Sequence, residues 1–90
     1  MIWIKVHNAT GVKVVAACDE EVMGLKFGSG KISDFYRGEL LEDKMLLSQG
    51  FDILNIVGKR VTKIAISEGL AKDEAVKTIN GLPHLQIVRV

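Results

Sequence analysis

Both ends of this chain alternate apolar and polar residues. Ile2, Ile4 and Val6 are separated by Trp3 and Lys5 and followed by His7, and His84-Leu85-Gln86-Ile87-Val88-Arg89-Val90 repeats the pattern up to the final residue. Period two is the mark of a half-buried strand. The first and last segments are therefore expected in one pleated layer, with the middle of the chain covering it. Ninety residues make a single domain, 1–90, and a hydrophobic fraction of 48% suits a packed core rather than a disordered chain.

Between those ends the punctuation is clear in some places and ambiguous in others. Asn8-Ala9-Thr10-Gly11 is a turn cluster, and Val12 to Cys18 reads as the returning strand of a hairpin. Asp19-Glu20-Glu21 suits the start of a short helix, since acids favour the positive end of the helix dipole. Leu25 to Ser33 reads as a third strand, bent at Gly28-Ser29-Gly30, and Leu40 to Gln49 as a short helix. The apolar arc of Ile53, Leu54, Val57, Val61, Ile64 and Ala65 predicts a second helix over about residues 53–68. A competing reading makes Phe51 to Val57 a strand and starts the helix at Gly58, because short apolar runs fit either period. Ala75 to Ile79 and Leu85 to Val90 read as two more strands around Asn80-Gly81, a hairpin signal, with Pro83 just ahead of the second. The expected class is α+β: a two-layer α/β sandwich of about five mostly antiparallel strands with two helices on one face.

Composition removes several classes of function. Cys18 is the single cysteine, so no internal disulfide exists and a reducing, cytoplasmic setting is expected. No apolar run approaches the roughly 18 residues of a spanning helix, and no leader pattern opens the chain, so no membrane partner is expected. The net charge of +1 gives no overall pull toward nucleic acid. Its distribution is uneven, at +2 over residues 1–18, −4 over 19–52 and +3 over 53–90.

Four groups of residues could carry chemistry. His7, Cys18 and His84 have the ligand types for zinc or for a thiolate–imidazole pair, but no motif spacing. Asp19-Glu20-Glu21 with Glu39, Glu42 and Asp43 could serve a cation, although capping and a solvated face explain them as well. Lys59, Arg60 and Lys63, joined by Lys31, are the densest cations, suited to phosphates, with Trp3 and Tyr36 as stacking partners. Were the helix to begin at Gly58, its free amides beside Lys59 and Arg60 would add an anion site. His84 and Gln86, two residues apart, project from one face of a strand and offer hydrogen bonds.

Trp3-Ile4-Lys5-Val6-His7, Ala17 to Gly24, Phe35-Tyr36-Arg37-Gly38-Glu39, Asn55-Ile56-Val57-Gly58 and Gly81 to Arg89 together resemble the small archaeal family catalogued as domain of unknown function 424. The resemblance covers nearly the whole chain, and Leu40 to Asp52 departs most from it. It implies an intracellular archaeal protein with a two-layer α/β sandwich, and no reaction, substrate or cofactor.

Three functions follow as expectations. The first is a small intracellular binding module for RNA or a ribonucleoprotein partner, with Lys31, Lys59, Arg60 and Lys63 on phosphates and Trp3, Tyr36, His84 and Gln86 on bases or partner. The second is a protein–protein module or homodimer without catalysis, using an open sheet edge or the Leu82-Pro83 turn. The third is a cysteine- or metal-dependent enzyme at Cys18, His7 and His84. The balance falls against an enzyme, and the sequence names no cofactor.

Overall fold

The computed structural model describes residues 1–23, 32–79 and 81–89. Strands β1 (Ile2–Ala9) and β2 (Val12–Asp19) form the expected hairpin, with Ala9 opposite Val12 and Ile2 opposite Asp19. Thr10 and Gly11 close it with φ of 50° and 79°. A two-residue turn with both angles positive is of type I′, whose twist matches that of the flanking strands.

Helix α1 (Ile32–Tyr36) comes next among the described residues, then β3 (Glu39–Leu41), β4 (Ile53–Val57), α2 (Lys59–Ser67), β5 (Lys77–Ile79) and β6 (Leu82–Val88). The sheet order is β3-β1-β2-β4-β6-β5. All its pairings are antiparallel except β2 with β4, which is parallel. The first and last strands do share one layer.

Several sequence expectations give way. The sheet has six described strands and is mixed. Leu40 to Gln49 is not a helix: Leu40 and Leu41 belong to β3, and Asp43–Leu46 is a 3-10 turn. Ile53–Val57 is strand, so the competing boundary at Gly58 holds and the helix is shorter than expected by about two turns. Tertiary pairing decided this: Ile53 to Val57 sit between β2 and β6, where a strand of Ile and Val is buried on both faces. The proposed third strand lies mostly outside the described residues, and its last two positions open α1. Residues Asp73–Ala75 form a 3-10 turn, leaving β5 only three residues long.

Pro83 stands inside β6 rather than before it, and the register explains why. His84 faces Val57, which puts Pro83 beside Gly58. The Gly58 amide donates to the Pro83 carbonyl at 2.9 Å, while the Gly58 carbonyl accepts from the Thr62 amide at 3.2 Å. The bond that proline cannot donate is thus one that β4, turning into α2, no longer needs.

Two cores result, one on each sheet face. Ile2, Ile4, Val15, Ala17, Leu54, Ile56 and Leu85 are buried under Val61 and Ala65 of α2 and Leu46 of the 3-10 turn. On the other face, Ala16, Cys18 and Val57 are buried with Val22 and Tyr36. The described helices therefore lie on opposite faces, not on one. The C-terminal end is fastened by the Arg89 amide on the Asp52 carbonyl at 2.8 Å and by the Arg89 guanidinium 4.2 Å above the Phe51 ring. No described helix is long and apolar enough to cross a membrane.

Candidate functional site

The register sorts the sequence candidates by face and by row. Trp3 pairs with Cys18, Cys18 with Val57, Val57 with His84 and His84 with Lys77. This row shares a face with the neighbouring row of Lys5, Ala16, Asn55 and Gln86. Helix α1 lies over the β1 and β2 part of that face, and β1 holds it there. Lys5 Nζ donates to the Asp34 carbonyl at 2.9 Å, and His7 Nε2 bonds the Phe35 carbonyl at 2.8 Å with its ring stacked 4.4 Å from that of Phe35. These carbonyls belong to the last turn of α1, where helical partners run out.

Beyond α1 the same face opens into a pocket of about 290 Å³ lined by Phe35, Tyr36, Asn55, Val57, Ile79, His84 and Gln86. Phe35 and Tyr36 meet edge to face at 5.2 Å and form its wall. The cross-strand pair of Asn55 and Gln86 lies on its floor beside His84. Burial pushes the His84 imidazole below its ordinary pKa, which favours the neutral ring with one donor and one acceptor. Three of the expected contact residues, Tyr36, His84 and Gln86, thus converge. Trp3 lies on the same face, but it packs half-buried against the Cys18, Val57 and Tyr36 cluster and serves the second core. Asn55 was missed because the helix reading placed it on a solvent face. Its place as the single polar residue in the apolar run Ile53 to Val57, once that run is read as a strand, was the signal that could have found it.

The metal or thiolate cluster does not assemble. His7 faces Val14, four residues along β2 from Cys18, and Val57 separates Cys18 from His84. Two strand spacings amount to roughly 10 Å, far beyond a shared ligand distance of about 2.0–2.3 Å. Cys18 is 1% exposed, and burial first, then Asp19 and Glu21, pushes its pKa to about 12. Burial thus holds the thiol protonated at neutral pH, the form that is the poor nucleophile. Among the described residues no group of three His, Cys, Asp or Glu side chains could hold a metal ion.

The anion site at the start of α2 exists but is already filled. Asp19 ends β2 beside Gly58, and its carboxylate is 3% exposed. It accepts from the Arg60 amide at 2.9 Å and the Val61 amide at 2.9 Å, so it caps α2 rather than the 3-10 turn Glu20–Val22, which stands where the short helix after Asp19 was expected. Gly58 at φ 126° leaves the room: a Cβ there would stand 2.5 Å from Asp19 Cγ. Arg60 is occupied too. Its guanidinium pairs with Glu21 at 3.2 Å and Asp43 at 3.4 Å, and donates to the Met1 carbonyl at 2.6 Å. Lys59 and Lys63 are exposed on α2, on the opposite side of the sheet from Tyr36, His84 and Gln86. The cations and the aromatic–amide pocket read from the sequence as one surface are therefore two. Lys31 lies outside the described residues.

Residues 7–90 match the family described as a protein of unknown function, DUF424. This chain belongs to the DUF424 family. The match agrees with the resemblance carried by the His7, Cys18, Tyr36, Asn55 and Gly81-to-Arg89 segments. The DUF424 chain is also similar to the crystal structure of an uncharacterized conserved protein from Methanopyrus kandleri, with a TM-score of 0.77 and 20% identity over 99% of this chain and 91% of that one. At that identity the likeness establishes the α+β fold. No curated protein is matched by the sequence.

Proposed function

We propose that this DUF424 protein is a small binding module for single-stranded RNA that takes one base into the pocket beside α1. The observation that carries the reading is the convergence of Phe35 and Tyr36 with Asn55, His84 and Gln86 on one sheet face. An unstacked base offers a flat ring and edges that both donate and accept, and this lining answers each. A module of this kind needs cations beside the pocket, and the exposed Lys77, register partner of His84, and Arg37, next to Tyr36, stand there. Edge-to-edge dimerisation is the weaker alternative. Both outer strands, β3 and β5, are three residues long and carry Glu39 and Lys77, features that discourage strand addition.

The test is fluorescence anisotropy with a labelled, mixed-sequence RNA decamer at low salt. Wild type is expected to bind, and Gln86→Ala and Asn55→Ala each to weaken binding about fivefold to tenfold. Lys77→Ala should lower the salt slope by about 0.7, while a Lys59→Ala/Lys63→Ala variant binds as wild type. Absence of binding at low salt, or loss in the Lys59/Lys63 variant alone, would reject the proposal.

A further inference from the structure

The opposite face of the sheet carries a second cleft, of about 450 Å³, between α2 and the segment leading into β5. Ile66, Val76 and Pro83 give it apolar walls, and Lys59, Thr62, Lys63 and Asp73 are its chemically active lining. Three observations there have no role in the fold. Thr62 is 5% exposed, and its hydroxyl has no hydrogen-bond partner among the described residues. A buried hydroxyl left unpaired costs free energy, and a helical threonine normally relieves it on a carbonyl one turn back. Lys59 stands exposed in the first turn of α2, whose free amides the Asp19 carboxylate already takes up. Lys63 follows one turn later on the same face, and neither lysine has an ion-pair partner among the described residues.

We infer that this cleft binds a small amphiphilic carboxylate, its anionic head on Lys59, Lys63 and the Thr62 hydroxyl and its apolar body between Ile66, Val76 and Pro83. Charge fixes the orientation. Asp73, on the wall facing α2, repels an anionic head and leaves the lysine side as its seat. Thr62 lines the cleft with its hydroxyl turned inward, so a rotation about its χ1 brings that hydroxyl to the head, which supplies the acceptor that Thr62 lacks and the counter-charge that Lys59 and Lys63 lack. A neutral ligand supplies neither, and a free anion without an apolar body leaves the walls wet. The inference is independent of RNA binding, because the two surfaces lie on opposite sides of the sheet.

The experiment is an amide NMR titration of the whole chain with decanoate, with decanol as the uncharged control. Saturable shifts are expected at residues 59–67 and 73–76, with the side-chain amides of Asn55 and Gln86 unmoved, and decanol at least about tenfold weaker. Thr62→Val keeps the shape and removes the hydroxyl. It is expected to weaken decanoate about tenfold while leaving the melting temperature unchanged or raised, an outcome that a purely structural threonine would not give. Lys59→Ala and Lys63→Ala should each weaken decanoate about threefold to tenfold. Equal affinity for decanol, wild-type affinity in Thr62→Val, or shifts confined to the β4 and β6 strands would overturn the inference.

Discussion

Asp19 shows how one side chain can be read correctly in kind and wrongly in place. Its residue type signals a cap, and it is a cap, but for a helix 41 positions away. The carboxylate replaces what Gly58, with no side chain, cannot provide, and Gly58 replaces the volume that Asp19 needs. The two positions should therefore fail in different ways. Asp19→Asn keeps the shape but loses a charge-assisted acceptor, and is expected to cost about 1–3 kcal/mol in urea unfolding. Gly58→Ala must fit a Cβ into the Asp19 carboxylate at a positive φ, and is expected to cost about 2–4 kcal/mol. Wild-type midpoints for both variants would show that the interlock contributes nothing.

At the scale of elements, short-range turn chemistry and long-range pairing compete. The β1–β2 hairpin is legible because its turn and its alternation agree over 18 residues. Its weak point is Thr10, a β-branched residue at φ 50°. Thr10→Asn preserves the type I′ turn with a residue that tolerates it and is expected to raise stability by about 0.5–1 kcal/mol, measured as a higher urea midpoint at unchanged slope. A lower midpoint would mean that the Thr10 side chain makes a contribution outweighing its strain. The β4–α2 boundary is the contrary case. Ile53, Leu54 and Val57 suit a buried strand almost as well as they suit the helical arc that continues through Val61 and Ala65, and only the presence of β2 and β6 on either side selects the strand.

For the whole molecule, the second core makes stability depend on alkaline pH. Burial lifts both the Cys18 thiol and the Tyr36 phenol to about 12, from ordinary values of 9.0 and 10.0. Between pH 9 and 12 the unfolded chain has released protons that the folded chain still holds. Stability is therefore fully present below pH 9 and falls as pH rises through this window. Thermal unfolding followed from pH 7 to 11 is expected to show a flat region and then a decline. Cys18→Ala should move the onset of that decline to about pH 10, where Tyr36 alone remains. A melting temperature indifferent to pH 11 would contradict the burial of both groups.

The sequence by itself determined the strands at the two ends, the first hairpin, the C-terminal half of the helical arc and membership of the family. Each rests on local patterns of period, turn chemistry or motif order that need no distant partner. Tertiary structure alone decided the β4 boundary, the placement of α1 and α2 on opposite faces, and which of the described candidate residues stand together. Register brought Tyr36, Asn55, His84 and Gln86 to one pocket and kept His7, Cys18 and His84 apart. It also closed the helix amides with Asp19 and sent Lys59 and Lys63 to a separate cleft. A site is a coincidence of residues far apart in sequence, and the side-chain period of a strand records only which face a residue takes, not which strand will lie beside it.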